Sequence, residues 1–211
     1  MRHAPPASLL EDEVDQGQGL KRIVFLSDGV FAIALTLLAL DIRVHESEGT
    51  SFRMALLSLG PSIAVYVLTF ILLGIYWVGH HRSFRYIVRY DYVLVWLNLF
   101  FLLCIAFLPA PTAVLADYFW EPLAFVFYGV GLACTSIAGG LLWFYAGRHH
   151  GLVHGKTGMP TLRGSIRRSM ATVVVAAASA ALAFLSPLAA FALLIVYTVW
   201  RIVASIREIG W

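Results

Sequence analysis

Six long apolar stretches constrain this 211-residue chain more than any other feature of its sequence. A helix needs about 20 predominantly apolar residues to cross a bilayer. Stretches that reach or approach this length run near residues 21–42, 54–79, 92–115, 121–146, 168–186 and 188–206. Charged residues make up 13% of the chain, compared with about 25% in soluble domains. The sequence therefore predicts an all-α integral membrane protein with six transmembrane helices.

The segment before the first apolar stretch differs from the rest of the chain. Residues 1–19 contain Pro, Gly and four acidic residues without an apolar core, so they match neither a signal peptide nor a span. We interpret residues 1–19 as a mobile cytoplasmic tail and residues 20–211 as one six-span domain. The two cysteines, Cys104 and Cys134, lie inside apolar stretches, where a free thiol usually behaves as a small hydrophobe.

The basic residues indicate the orientation of the spans, because cytoplasmic loops of membrane proteins are rich in Lys and Arg. The fifth and sixth stretches are the doubtful pair, since only 32 residues separate Arg168 from Arg201, with Ser186-Pro187 as the turn signal between them. If there are six spans and the N-terminus is inside, 13 of the 15 basic residues lie inside and only Arg43 and Arg53 lie outside. Five spans would put Arg201 and Arg207 on the outer side, so we predict six spans with both termini cytoplasmic. The excess of positive charge thus reflects topology and not nucleic-acid binding.

The first stretch, KRIVFLSDGVFAIALTLLALDI, carries a carboxylate inside its apolar region. An acidic residue at such a depth costs about 2.5–3.5 kcal/mol on insertion scales, so Asp28 has to face protein or water. The spacing i, i+4, i+7 and i+11 predicts a narrow helical stripe beside it. The stripe consists of Gly29, Ile33, Thr36 and Leu40, with Leu37 at its margin. A stripe of this kind is usually a packing face, and the neighbouring carboxylate is what marks it as a functional candidate.

Asp28 needs partners, and the next two stretches supply a short list: Trp77, His80, His81 and Asn98. Trp and Asn can donate to a carboxylate, and a His can donate or be protonated beside it. One hypothesis is a buried hydrogen-bond network that pins three helices together, and the other is a proton relay. The network is favoured, because a network beside a pore can be essential without moving protons. The sequence leaves open which of the two adjacent histidines faces the interior.

No other pattern indicates catalytic or metal chemistry. The histidines at His80-His81, His149-His150 and His154 are poor candidates for metal ligands, since adjacent histidines do not share a helix face and no Cys or acid stands at ligand spacing. The sequence contains no nucleophile elbow, phosphate-binding glycine loop or zinc-protease helix. We therefore predict neither an enzyme nor a bound cofactor. The fourth stretch lacks a counterpart of Ser27-Asp28-Gly29, which argues against an inverted-repeat transporter.

Two ordered motifs resemble a known family. The stretch RIVFLSDGVFAIALTLLALDI resembles the first-helix signature of the transmembrane protein 175 family, the potassium channels of endosomes and lysosomes and their bacterial relatives. The stretch YWVGHHRSFRYIVRYDYVLVWLNLFFLLCIAFLPAPT is similar to the family's Trp- and His-containing end of helix two and its Asn-containing helix three. The departures are Leu26, where the family usually has Phe, and Pro109-Ala110-Pro111 in place of Pro-Phe-Pro. The specific motifs cover residues 20–45 and 76–112.

The resemblance implies a potassium-permeable cation channel without the pore loop of other potassium channels. The chain indeed contains no Thr-Val-Gly-Tyr-Gly sequence. In the family the first helices of the assembly surround the pore axis. This arrangement implies that Ile33 forms the tightest apolar ring, that Leu37 and Leu40 form the next rings, and that Thr36 contributes to ion preference. Such a hydrophobic gate would combine constriction and selectivity filter.

The resemblance also implies an anchoring network for the pore helix. Its members would be Arg22, Ser27, Asp28 and Gly29 of the first helix with Trp77, His80, His81 and Asn98 of the next two. Asp28 would then be retained because it fixes the orientation of the pore helix.

Assembly follows from the same resemblance. One pore helix per chain cannot enclose a pore, so self-association is required. Animal members carry two six-span repeats and pair, which implies a homotetramer of this single-repeat chain. The expected location is the inner membrane of a bacterium, with potassium as the conducted ion. A proton-coupled transporter that uses Asp28 and a histidine, and a membrane scaffold without ion flux, are the alternatives.

Overall fold

The computed structural model describes residues 7–40, 42, 51–149, 151–153 and 159–209. These residues form a helical bundle, and their one β-bridge, between Ile87 and Val153, is isolated. The helices are α1 (Ala7–Leu40), α2 (Phe52–Ser58), α3 (Gly60–Phe84), α4 (Tyr92–Phe107), α5 (Pro109–Asp117), α6 (Pro122–Arg148), α7 (Met159–Ala183) and α8 (Pro187–Ile209).

Six segments of the described residues are long and apolar enough to cross a membrane: Gln16–Leu40, Gly60–Phe84, Tyr92–Asp117, Pro122–Arg148, Met159–Ala183 and Pro187–Ile206. The shortest has 20 residues, which at about 1.5 Å per residue matches the roughly 30 Å of a hydrocarbon core. The predicted six-helix membrane fold is confirmed. The fifth span, which looked short in the sequence, begins at Met159 and therefore has 25 residues.

Prolines mark the starts of several helices. Pro61, Pro109 and Pro122 each lie in the first turn, where a missing N–H breaks no helical hydrogen bond. The second span accordingly runs from Gly60 to Phe84, about a turn and a half beyond the predicted range of 54–79. The third span is divided at Leu108 into α4 and α5, as expected for a Pro-containing helix end.

The N-terminal segment differs from the sequence expectation. Helix α1 begins at Ala7, so residues 7–19 are helical where a mobile tail was predicted, and residues 1–6 lie outside the described residues. The Oε1 atom of Gln16 accepts a hydrogen bond from the backbone N–H of Tyr90 at 3.2 Å. Gly19 lies directly against the Tyr90 ring, which leaves no room for a Cβ. The start of the first span is therefore held against the connection between α3 and α4.

Three chain segments meet at one end of the bundle. The backbone N–H of Val88, between α3 and α4, donates to the carbonyl of Leu152, between α6 and α7, at 2.9 Å. Gln16 and Tyr90 bring the start of the first span to the same end. That this end is cytoplasmic stays a prediction, and of the basic residues that predicted it, Arg2, Arg43 and Lys156 lie outside the described residues.

Helix α6 forms the centre of the bundle and α1 lies at its side. More than half of the α6 span is buried, and α6 packs on α4, α5 and α7. Glycines permit this close packing, since a Cβ on Gly129 would lie 3.1 Å from the carbonyl oxygen of Ala176. Helix α1 packs chiefly on α3 and α4. One side of α1 is therefore covered by the chain itself, and the other is left open.

Candidate pore helix and its anchoring network

The covered face of α1 consists of Ser27, Phe31, Ala34 and Leu38, each at most 2% exposed. Their spacing of i, i+4, i+7 and i+11 places them along one side of the helix, where they pack on α3 and α4. This is the same spacing as that of the predicted stripe, shifted by two residues. A shift of two residues is a rotation of about 200° on an α-helix, so the stripe faces the opposite way.

The predicted stripe is the open face of α1. Gly29 and Thr36 are exposed, and the exposed fractions of Ile33, Leu37 and Leu40 are 60%, 39% and 65%. The Thr36 hydroxyl donates to the carbonyl oxygen of Ile33 at 2.8 Å, which satisfies its hydrogen within the helix. The structure thus places the five predicted residues together on a largely apolar surface that no described residue of the same chain covers.

An open groove of about 590 Å³ lies on this face toward the N-terminal end of the span. It is lined by Lys21, Arg22, Phe25, Leu26, Gly29, Val30 and Ile33. The groove combines two cations at one end with an apolar floor. Arg22 and Gly29, which the family resemblance assigned to the anchoring network, line this groove instead.

Asp28 lies between the two faces and contacts α3. The indole Nε1–H of Trp77 donates to Oδ1 of Asp28 at 2.8 Å. The His81 ring stacks on Trp77, with 5.6 Å between the ring centroids. The carboxylate is therefore held by a neutral donor and not by a salt bridge with a described cation.

A second chain of hydrogen bonds starts from the neighbouring residue, Ser27. Its hydroxyl donates to the carbonyl of Ile23 at 2.8 Å, and its oxygen accepts from Nδ2 of Asn98 at 3.1 Å. The Oδ1 atom of Asn98 is then the acceptor for Nε2 of His80, at 2.9 Å. The amide oxygen of Asn98 can only accept a hydrogen bond, so Nε2 of His80 is the donor and carries a hydrogen. The chain joins α1, α4 and α3 in the interior.

His80 lies in an aromatic box. Its ring is 2% exposed and has centroid distances of 4.3 Å to Phe84, 5.8 Å to Phe101 and 5.6 Å to Trp143. His81, one residue along, is exposed. The structure therefore selects His80 as the interior histidine, which the sequence left open. The box members Phe101 and Trp143 were missed, because aromatic residues in apolar stretches carry no signal of which ring they meet.

The structure thus brings together five of the eight predicted network residues: Ser27, Asp28, Trp77, His80 and Asn98. His81 joins only through its stacking on Trp77, and Arg22 and Gly29 lie apart on the open face. The network can fix the rotation of α1, since two adjacent side chains of that helix are held by two different helices.

Sequence reasoning also missed two buried polar clusters. The hydroxyl of Tyr128 on α6 shares a hydrogen bond of 2.9 Å with Thr69 on α3. Arg201, which the sequence placed among the cytoplasmic cations, is only 8% exposed in α8 and donates to Thr172 and Tyr197. The available signal was its position 14 residues after the start of α8 at Pro187, deep for a loop residue.

The described residues offer few candidate metal ligands. Within the described residues, no three His, Cys, Asp or Glu side chains cluster as a metal site requires. His149 lies against the Tyr145 ring, and His150 and His154 lie outside the described residues.

Comparison with known proteins gives consistent matches. Residues 22–109 match the family model described as the endosomal/lysosomal potassium channel TMEM175. The chain is 39% identical over 149 residues to a potassium channel of Streptomyces collinus, covering 68% of this chain and 72% of that protein. It is also 39% identical over 132 residues to a potassium channel of Chamaesiphon minutus, covering 59% of this chain and 64% of that protein.

More distant matches extend to animals and to solved structures. The human endosomal/lysosomal proton channel TMEM175 is 28% identical over 144 residues, which cover 67% of this chain but only 29% of that protein. The crystal structure of a lysosomal potassium-selective channel TMEM175 homologue from Chamaesiphon minutus superimposes with a TM-score of 0.78 at 28% identity. That match covers 89% of this chain and 98% of the other.

Proposed function

Because this chain belongs to the TMEM175 family, we propose that it is a potassium-permeable channel of a bacterial inner membrane whose pore is lined by α1. The observation that carries the proposal is the two-sided character of α1. Its covered face is fixed by Asp28 and Ser27, whereas its opposite face is apolar and open in the single chain. The bacterial relatives named above as potassium channels support potassium as the conducted ion.

The open face would form the constriction after assembly. In a homotetramer arranged around α1, the side chains of Ile33, Leu37 and Leu40 would form successive apolar rings about 6 Å and then about 4.5 Å apart along the axis. An apolar ring offers an ion no ligand, so passage depends on width and wetting. Potassium gives up its hydration shell more readily than sodium, which favours potassium at such a ring. Thr36, whose hydroxyl hydrogen is already bonded to a carbonyl, would present its oxygen to the permeating ion.

The anchoring network would set the width of these rings. A rotation of α1 by a few degrees moves the Ile33 side chain toward or away from the axis. Trp77 resists that rotation from α3 through Asp28, and Asn98 resists it from α4 through Ser27. The two attachments lie about 100° apart on the helix, so they oppose rotation in both directions.

Proton transport is the second candidate, because the animal relatives are named proton channels. The hydrogen-bond chain from His80 to Ser27 passes through the amide of Asn98, which does not titrate and cannot relay a proton. The network geometry therefore favours anchoring over a relay, and the flux experiment below includes a proton arm.

Ion flux from purified protein in liposomes tests the proposal. The wild type is expected to conduct under a potassium gradient and much less under a sodium gradient of equal size. Ile33→Ala should widen the tightest ring and bring the two fluxes closer together. Ile137→Ala is the matched control, since Ile137 is 50% exposed on α6, away from α1.

Each alternative has its own outcome in this experiment. Saturable, pH-driven exchange that Asp28→Asn abolishes would identify a proton-coupled transporter. Absence of any flux from protein shown to be assembled would identify a scaffold. Unchanged ion preference in a folded Ile33→Ala protein would remove Ile33 as the filter.

A further inference from the structure

An open groove between α6 and α7 has two arginines among its lining residues. It lies where α6 ends and α7 begins, and its volume is about 320 Å³, within the range of about 300–1,000 Å³ that is usual for ligand sites. None of its lining residues is acidic. We call it the α6–α7 groove, and it is lined by Trp143, Phe144, Gly147, Arg148, Met159, Leu162, Arg163 and Ile166.

The two arginines of the groove are accessible and have no anionic partner. Arg148 and Arg163 are both exposed, and neither forms an ion pair with a described residue. The Cζ atom of Arg148 lies over the Phe144 ring, 5.7 Å from its centroid. A guanidinium that stacks on a ring keeps the N–H donors at its edge free for a bidentate acceptor such as a phosphate.

The groove changes character with depth in the membrane. The α6 span has 27 residues and is about 40 Å long, so it exceeds the roughly 30 Å of the hydrocarbon core. Arg148 ends that span and therefore lies at the level of the lipid headgroups. Phe144 lies one turn deeper and is 52% exposed, and Ile166 lies about 4.5 Å deeper than Arg163 along α7. The groove thus presents cations toward the headgroups and an apolar floor toward the hydrocarbon.

Close packing of the two helices keeps both cations at the same groove. A Cβ on Gly147 would lie 3.5 Å from the Leu162 side chain and 3.8 Å from the sulfur of Met159. The last turn of α6 is therefore in contact with the first turns of α7. Arg163, the residue after Leu162, is held beside the end of the helix that carries Arg148.

We propose that the α6–α7 groove binds an anionic phospholipid. The phosphate accepts from the guanidinium groups of Arg148 and Arg163, and an acyl chain lies along the apolar floor at Phe144 and Ile166. Basic pockets between transmembrane helices bind lipid headgroups of this kind. A zwitterionic lipid would bring a further cation to a site that already holds two. A free phosphate ion would match the arginines but leave the apolar floor without an occupant.

The site is separate from the proposed pore. It uses α6 and α7, whereas α1 packs chiefly on α3 and α4. A bound lipid would hold the end of α6, the central helix of the bundle, against the start of α7. The binding claim does not depend on ion conduction, so the failure of either proposal would leave the other standing.

Thermal unfolding of the purified full chain in a non-ionic detergent tests lipid binding. The melting temperature is measured as phosphatidylglycerol is added, and in parallel with phosphatidylcholine of the same acyl chains or with inorganic phosphate. A ligand that binds only the folded state raises stability with the logarithm of its concentration above Kd. We expect a saturable rise with phosphatidylglycerol only. A basic residue near an anionic membrane surface contributes about fivefold to binding, so the double variant Arg148→Gln/Arg163→Gln should need about 25-fold more phosphatidylglycerol for the same rise.

The double variant Arg85→Gln/Arg89→Gln is the matched control. It removes the same charge from exposed residues that lie at the same end of the bundle but do not line the groove. The melting temperature of each double variant without lipid checks that it folds. The control should respond to phosphatidylglycerol as the wild type does.

A structure of the wild type in nanodiscs that contain phosphatidylglycerol gives the position without any variant. Density for a phosphate beside Arg148 and Arg163, with the lipid-dependent rise in melting temperature, is the expected result. An empty groove would overturn the proposal. An equal rise with phosphatidylcholine would indicate a general lipid effect, an equal rise with inorganic phosphate would indicate a free anion, and an equal loss in the control variant would indicate diffuse surface charge. Each of these three results would overturn the proposal as well.

Discussion

Removal of the Asn98 side chain tests the anchoring network most directly. Asn98 is 1% exposed, donates to Ser27 and accepts from His80. Interhelical hydrogen bonds in membrane proteins contribute about 0.6 kcal/mol each on average, so Asn98→Ala loses about 1.2 kcal/mol from two bonds. The substitution also leaves Nε2–H of His80 buried without an acceptor, which costs a further 1–3 kcal/mol or so. The expected loss in unfolding free energy is therefore about 2–4 kcal/mol.

The assay is denaturation by SDS in mixed micelles, followed by circular dichroism at fixed protein concentration. Thr135→Ala is the matched control, since Thr135 is also fully buried but its hydroxyl donates only to the Gly131 carbonyl of its own helix. That variant should lose less than Asn98→Ala. A loss below about 0.5 kcal/mol for Asn98→Ala would refute the energetic role of the network, because it is smaller than a single average bond.

A double variant separates the orphaned histidine from the lost bonds. In Asn98→Ala with His80→Phe, no polar atom of that pair is left buried, and the new ring stays among Phe84, Phe101 and Trp143. Replacement of both partners by apolar groups can be nearly neutral, so the double variant should lose less than the sum of the two single variants. Strict additivity would show that the two side chains do not interact.

Three further perturbations have defined outcomes. Asp28→Ala should lower the assembled fraction in size-exclusion chromatography before it alters ion selectivity, and a stable, assembled, conducting variant would contradict the anchoring role. Gly139→Val should destabilise the bundle by about 1–3 kcal/mol in the same SDS assay, because a Cβ there would lie 3.1 Å from the Phe101 ring; unchanged stability would show that the ring moves away freely. Burial raises the pKa of Asp91, but the hydrogen bonds from the Tyr145 hydroxyl and a backbone N–H outweigh it and hold that pKa below its usual value of about 4. The stabilisation that ionised Asp91 contributes is thus fully present above about pH 4 and is lost as the pH falls through its lower folded-state pKa. The melting temperature, measured between pH 3 and 6, should therefore fall less with acid in Asp91→Asn than in the wild type.

Much of the membrane fold was determined by the sequence alone, because a bilayer accepts few kinds of structure. Apolar length predicted all six spans, and the charge pattern kept the fifth and sixth as separate helices. Helical periodicity grouped Ile33, Thr36 and Leu40 on one face before any contact was known. The cost of a carboxylate in hydrocarbon required that Asp28 have a partner, and the short list of candidates contained Trp77.

Tertiary structure decided the choices that depend on neighbours from other helices. Whether His80 or His81 is interior depends on the rotation of α3, which the packing of Phe84 and Trp143 sets and no local pattern records. The position of Arg201 within its span hinted that it is not a loop cation, but the sequence could not identify its partners Thr172 and Tyr197, which only the packing of α7 on α8 brings to it.

The start of α1 shows the same limit. Local composition predicted a mobile tail for residues 1–19, but Gln16 and Gly19 are held by Tyr90, which lies more than 70 residues away along the chain. Apolar length, charge and period are properties of a single segment, and so the sequence determines them. The direction in which a polar side chain finds its partner is a property of the packed bundle, and only the tertiary structure decides it.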